Sequence, residues 1–327
     1  MAAAFSIPPL LAQQRPPDRR LERLDRWLDS KDPSSRVDAV QELAALQKPE
    51  AVPLLLRALR DSEVEVRGAA AWGLRNCTDS RVVPALRGAL NDDDDRVRAA
   101  AVWALSHVGG KAVLPDVVRL ATNDASGVVR FRAVWGLGII RDKSALPVVI
   151  NALGDYNTSV RERSALLALE ALADNTIAQR VLRQTNNVLP ATRRIVMYLL
   201  ARYGDQSVVL ALKRGLTDPD QLVRAEAALS LGKLKAQAGL TDLPPLLNDP
   251  DEHVRGSAAY SLGLIGDKSA MGALRPALED KSAFVRAVAA ESLQQLGDKT
   301  VKPPEGFKAA ELFTFPIYKP EHKELYE

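Results

Sequence analysis

The chain has 327 residues, 46% hydrophobic and 26% charged, and its 44 basic residues against 41 acidic ones leave a net charge of +3. That near balance provides no global field for nucleic acid or an anionic membrane surface. One cysteine, Cys77, excludes an intrachain disulfide framework and a cysteine metal cluster, and no apolar run of roughly 18 or more residues offers a membrane span.

In chain order, residues 1–12 (MAAAFSIPPLLA) are mildly apolar and the polar QQRPPD follows. The stretch ends like an export signal in Leu-Leu-Ala, but it lacks a basic start and is interrupted by Pro8 and Pro9. Residues 1–18 are therefore expected to be a flexible leader before a cytoplasmic protein. If 1–12 is the remnant of a signal, the destination is the periplasm or the exterior. Leu21, Leu24, Trp27 and Leu28 then mark an amphipathic helix. Its five arginines between 15 and 26 alternate with Asp18, Glu22 and Asp25, which argues against a basic tract for nucleic acid.

From here the chain repeats. Arg36, Arg67, Arg98, Arg130, Arg161, Arg193, Arg224, Arg255 and Arg286 stand 31 or 32 residues apart. Six residues before each comes Ser30, Asp61, Asp92, Asp124, Asp155, Asn187, Asp218, Asp249 or Asp280. Around each arginine, apolar positions at −1, +3, +7 and +10 form a helical stripe, as in Val97, Ala101, Leu105 and Val108. This helix, B, follows a second apolar segment such as AVPLLLRAL (51–59), whose proline falls in a first helical turn. Glycines such as Gly109, Gly204, Gly266 and Gly297 then end helix B. A helix pair cannot bury its apolar face alone, so stacked pairs should share one core across residues 19–300.

DSEVEVRGAAAWGL (61–74) and DPDEHVRGSAAYSLGLIGDKSA (249–270) resemble HEAT repeats of the phycobilisome-lyase HEAT-like type. The resemblance covers about 21–300 and is weakest in the first repeat, where Ser30 and Ser35 depart from it. It implies an all-α fold, a right-handed α-α superhelix of about nine helix pairs forming one continuous domain. It also implies an Asp–Arg ladder between adjacent repeats, through Asp61, Arg67, Asp92, Arg98, Asp124, Arg130, Asp155, Arg161, Asp218, Arg224, Asp249, Arg255, Asp280 and Arg286. Each aspartate precedes helix B, where its carboxylate can cap the positive helix end and also reach an arginine.

Catalytic signals are sparse. His107, His253 and His322 stand alone, none with metal-ligand spacing, so no metal or cofactor is expected. Deoxyhypusine hydroxylases share the repeat but bind iron through His-Glu pairs, and these histidines precede Val, Val and Lys. The acidic run 92–95 lacks the order of a calcium loop. Cys77 falls on the +10 core row and reads as a small buried hydrophobe. The resemblance also raises a bilin-lyase-like enzyme, or a chaperone subunit holding a tetrapyrrole. A HEAT-like DNA glycosylase is a further reading, opposed by the charge balance.

One row resists a purely structural reading. Position +5 carries Trp72, Trp103, Trp135, Leu166, Tyr198, Leu229, Tyr260 and Glu291, so three of the four tryptophans share one place in the repeat. At about 100° per residue, +5 lies roughly opposite the core stripe, on the side expected to line a concave surface. Nearby stand Arg132, Arg163, Arg194 and Arg202. Exposed aromatics beside arginine are the composition of binding hot spots. The alternative is that each ring packs over the alanine-rich helix next to it. The expected function is a monomeric, non-catalytic scaffold that binds a protein or peptide there, the alternative being a structural adaptor in a larger assembly through its tail or convex face. Residues 301–327, with Pro303, Pro304, Pro316 and Pro320 among Phe307, Phe313, Phe315 and Tyr318, break the repeat. They are expected to cap the ninth repeat, tether a partner in a larger assembly, or fold back on the solenoid.

Overall fold

The structure, a computed structural model, describes residues 19–313. The expectations for the 1–18 leader, His322, Phe315 and Tyr318 lie outside the described residues. Two compact units make up the chain, Met1–Asp116 and Val117–Glu327. Among the described residues nine helix pairs follow one another and no strand occurs, the architecture of an all-α helical-repeat solenoid.

In the first unit the B helices are Pro33–Leu46, Val64–Gly73 and Asp95–Val108. In the second they are Gly127–Ile140, a π-helical turn Val160–Ser164 running into Ala165–Leu172, Pro190–Tyr203, Gln221–Lys233, Glu252–Ile265 and Ala283–Gln295. The A helices are shorter, as in Val52–Ala58 and Leu146–Ala152, each with a proline in its first turn. The helical stripe is the core: Val66, Val97, Val129, Val223, Val254 and Val285 are fully buried, as are Leu105, Leu137, Leu231, Leu262 and Leu293. Each such side chain contributes about 1.5–3 kcal/mol by leaving water. Small residues between them let neighbouring B helices close up. A Cβ added at Gly232 would stand 2.6 Å from Ser261 Cβ.

Cys77 departs from the expected buried place. Helix B of the second repeat stops at Gly73, and a 3₁₀ turn, Leu74–Asn76, leaves Cys77 off the helix and half-buried.

The ladder joins repeat arginines to the aspartate of the following repeat. Arg67 donates from Nε and Nη2 to both Asp92 oxygens at 2.7 and 2.9 Å, while its Nη1 reaches back 2.9 Å to the carbonyl of Asp61. The same two-pronged pairing recurs at Arg36–Asp61, Arg130–Asp155, Arg193–Asp218, Arg224–Asp249 and Arg255–Asp280. A planar guanidinium facing a carboxylate satisfies both charges and fixes orientation. Accordingly Arg67 holds Asp92, and Arg255 holds Asp280, below the usual carboxylate range.

The capping role falls elsewhere than expected. The ladder aspartate accepts the N–H two residues on, as Asp218 does from Asp220, and that next residue caps helix B. Asp94, Ser126, Asp220 and Asp251 are such caps. Asp32 caps the first B helix in the same way, while Ser30 offers only its carbonyl to Arg36. Each ladder aspartate serves the preceding repeat, and no repeat arginine precedes the first. At the other end Arg286 reaches the carbonyls of Asp280 and Lys281.

One rung is missing. Asn187 stands where Arg161 would meet a carboxylate, and its amide instead donates to Gln184 at 2.8 Å. Arg161 is 8% exposed, and its Nε is buried without a hydrogen-bond partner among the described residues. The π-helical turn begins at the residue before it. Such turns replace the regular i→i−4 ladder locally.

Candidate functional site

The +5 side of the B helices does not present one continuous exposed strip. In the first unit Trp72 and Trp103 stack with ring centroids 6.1 Å apart and planes within 10°. His107 approaches the Trp103 ring edge-on at 4.6 Å, bonds the Trp103 carbonyl through Nδ1, and leaves that tryptophan 6% exposed. Trp72 stays half-buried with the Arg75 guanidinium 4.8 Å over its ring. A cavity of about 550 Å³ opens beside it, walled in part by Gln41, Lys48, Arg75 and Cys77. The expectation of exposure therefore fails for Trp103, because residues one repeat apart on neighbouring helices come close enough for large rings to cover each other.

In the second unit three arrangements share the face. Phe131 and Trp135 meet edge-on at 5.7 Å, one turn apart on the Gly127–Ile140 helix. Arg132 lies 5.9 Å and 5.8 Å from those two rings, and Arg163, from the next repeat, lies 6.0 Å from Phe131. Together they border a cavity of about 210 Å³ that Asn157 and Ser159 complete. Burial against the rings lowers the Arg132 pKa. Guanidinium over an aromatic face is favourable, worth about 0.5–2 kcal/mol with the degree of desolvation.

Tyr198 is half-buried with the Lys233 ammonium 5.8 Å over its ring. Arg202 turns to Glu170, 3.2 Å away at the same position of the preceding repeat, and to the Tyr203 hydroxyl. Arg194 faces Glu226 across 3.9 Å. Of the four expected arginines, then, Arg132 and Arg163 gather with Trp135, whereas Arg194 and Arg202 serve other partners.

Tyr260 is 9% exposed because the C-terminal segment covers it. Phe313 stacks on Tyr260 at 4.8 Å and tilts against Phe284 at 5.8 Å. Glu291, the +5 residue of the ninth repeat, accepts the Ala309 N–H at 2.7 Å at the start of the short helix Ala309–Leu312. Residues 301–313 thus fold back onto the aromatic face of the eighth and ninth B helices.

Sequence reasoning picked out Arg194 but missed Leu222, Glu226, Phe284 and Leu312 around a third cavity of about 400 Å³, which Leu229, His253 and Phe313 also line. Glu226 is 4% exposed, and burial pushes its carboxyl up to about 7 against the pull of Lys233 and Arg194. One signal existed: an acid in RAEAALSL (224–231), where the eighth repeat has RGSAAYSL. Among the described residues no group of three or more His, Cys, Asp and Glu could hold a metal ion, and no helix is long and apolar enough to cross a membrane.

Comparison with known proteins follows the same lines. The sequence matches the model for HEAT repeats over residues 21–106, 58–138, 86–170, 114–187, 179–255 and 240–304. No curated protein matches it. Among solved structures, YibA of Escherichia coli aligns with a TM-score of 0.50 at 18% identity, over 82% of this chain and 98% of its own. Kap121p aligns with a TM-score of 0.62 at 14% identity, over 85% of this chain but 37% of its own. Kap121p bound to the extreme C-terminus of the protein phosphatase Cdc14p gives 0.60 at 13%, over 85% and 42%. This chain spans less than half of Kap121p, and likeness at such identity concerns the fold alone.

Proposed function

The chain belongs to the HEAT-repeat family, and from that premise we propose a non-catalytic interaction scaffold that holds a protein or peptide on the +5 side of its B helices. The observation that carries this reading is the cluster of Phe131, Arg132, Trp135 and Arg163 around its cavity. Rings and guanidinium groups both give up water at modest cost and make directional contacts, which is why they concentrate binding energy. Two cationic groups beside two rings suit a partner segment that offers an acidic side chain next to an apolar one. Val128, 56% exposed at the rim, adds apolar surface. Kap121p, of the same fold, binds the end of another protein's chain in the Cdc14p complex.

The test uses an array of acidic, neutral and basic peptides against the full chain and a Trp135→Ala, Arg163→Gln double variant. The double variant should unfold at nearly the same temperature yet lose about tenfold or more in affinity for acidic peptides, as hot-spot truncations do. Trp103 is unsuited to this experiment, because its buried ring supports the fold. A folded double variant that keeps its peptides would sink the reading.

A further inference from the structure

We propose that the cavity between the sixth to ninth B helices and the C-terminal segment receives an aromatic side chain bearing a hydrogen-bond donor, a tyrosine or tryptophan of a bound peptide. This deepens the scaffold reading and rests on it. The walls are apolar: Leu222, Leu229, Phe284, Leu312 and Phe313 surround about 400 Å³. Leu222 and Leu312 remain 44% and 56% exposed there, apolar surface that the described residues leave open. An aromatic ring buries about 150–250 Å² and matches such a space.

The polar requirement comes from Glu226. Its Oε1 is buried and has no hydrogen-bond partner among the described residues, while its Oε2 faces Arg194 at 3.9 Å. A buried acceptor left unmet is costly, so a ligand that supplies a donor should bind about tenfold more tightly than one that does not. The donor must be neutral. Arg194 and Lys233 both act on this carboxyl, two cations against one acid, so a lysine or arginine side chain would add a third positive charge to an apolar space. A phenol or indole brings one donor and no charge. The face already accepts an aromatic ring from the chain itself, since Phe313 stacks on Tyr260 beside the cavity.

The experiment measures binding of N-acetyl-tyrosinamide, N-acetyl-phenylalaninamide and N-acetyl-lysinamide to the full chain by NMR titration. The tyrosine amide should bind about tenfold more tightly than the phenylalanine amide, the effect of one buried hydrogen bond. In Glu226→Met, which removes the acceptor and keeps an apolar volume, the two should become equal. Leu312→Asp, on the exposed wall, should weaken both. Equal affinities in the unmodified chain, or tightest binding of the lysine amide, overturn the proposal. The Trp135→Ala, Arg163→Gln variant should retain the tyrosine preference, so loss of peptide capture there and loss of selectivity here are separate failures.

Discussion

Replacing Asn187 by aspartate should restore the missing rung of the ladder. Arg161 is buried, its Nη1 holds the Asp155 carbonyl at 2.8 Å, and its remaining contacts to Thr158 and Glu162 are long, at 3.4 and 3.3 Å. Nε is without a partner among the described residues. Repeat arginines that meet a carboxylate, such as Arg130 and Arg193, do so at 2.7–2.9 Å. A hydrogen bond to a charged group is worth about 1.5–3 kcal/mol, and losing the Asn187 amide bond to Gln184 subtracts about 0.5–1.5 kcal/mol. The net gain is about 1–2 kcal/mol. In a repeat array that gain acts locally, because each repeat contacts only its neighbours. Hydrogen exchange followed by mass spectrometry should therefore show protection over 155–200 rising about five- to thirtyfold, with distant repeats unchanged. The reciprocal variant, Asp218→Asn, should lower protection around Arg193 by a comparable factor. If Asn187→Asp leaves exchange unchanged while Asp218→Asn lowers it, the carboxylate is not what position 187 lacks, and the reasoning fails.

Glu226 predicts a pH dependence. Burial raises its carboxyl from 4.5 to about 7, so across that interval the folded chain keeps a proton that the unfolded chain has released. The contribution of this group to stability is then fully present below pH 4.5 and is lost as pH rises towards 7, by on the order of 3 kcal/mol. Glu226→Gln should flatten that contribution when unfolding temperatures at pH 5 and pH 8 are compared. Leu105→Ala, at a fully buried position, should cost about 3–4 kcal/mol in urea unfolding. Leu210→Ala, 62% exposed, should change stability by less than about 0.5 kcal/mol. Glu291→Ala removes the acceptor of the Ala309 N–H, and exchange at 307–313 should speed up about tenfold with the repeats unaffected.

The repeat period, the helix pairs and the buried stripe were legible in the sequence because they follow from local periodicity and from which side chains avoid water. The resemblance to HEAT repeats implied the pairing of Asp61, Asp92 and their counterparts with arginines, and a motif repeated every 31 or 32 residues brings such equivalent atoms together. Where the period ran out, so did the reading. Ser30 needed no carboxylate because no repeat arginine precedes it, and the helix caps fell to residues such as Asp94 and Asp220, two positions beyond the ladder. Helix angle alone put the +5 residues on the side away from the core. Whether a ring there faces water depends on its neighbours: Trp72 and His107 cover Trp103, and Phe313 covers Tyr260. Apart from His107, one turn along the same helix as Trp103, those contacts join residues from different repeats, or from the tail, which has no register with the repeat at all. Tertiary packing alone therefore decided that Trp135, Arg132 and Arg163 border a cavity, and that an acid in an alanine-rich stretch, Glu226, ends up buried in the wall of another that Leu312 and Phe313 also line. Periodicity determines which face a side chain is on, and only the folded neighbours determine what remains for a partner to touch.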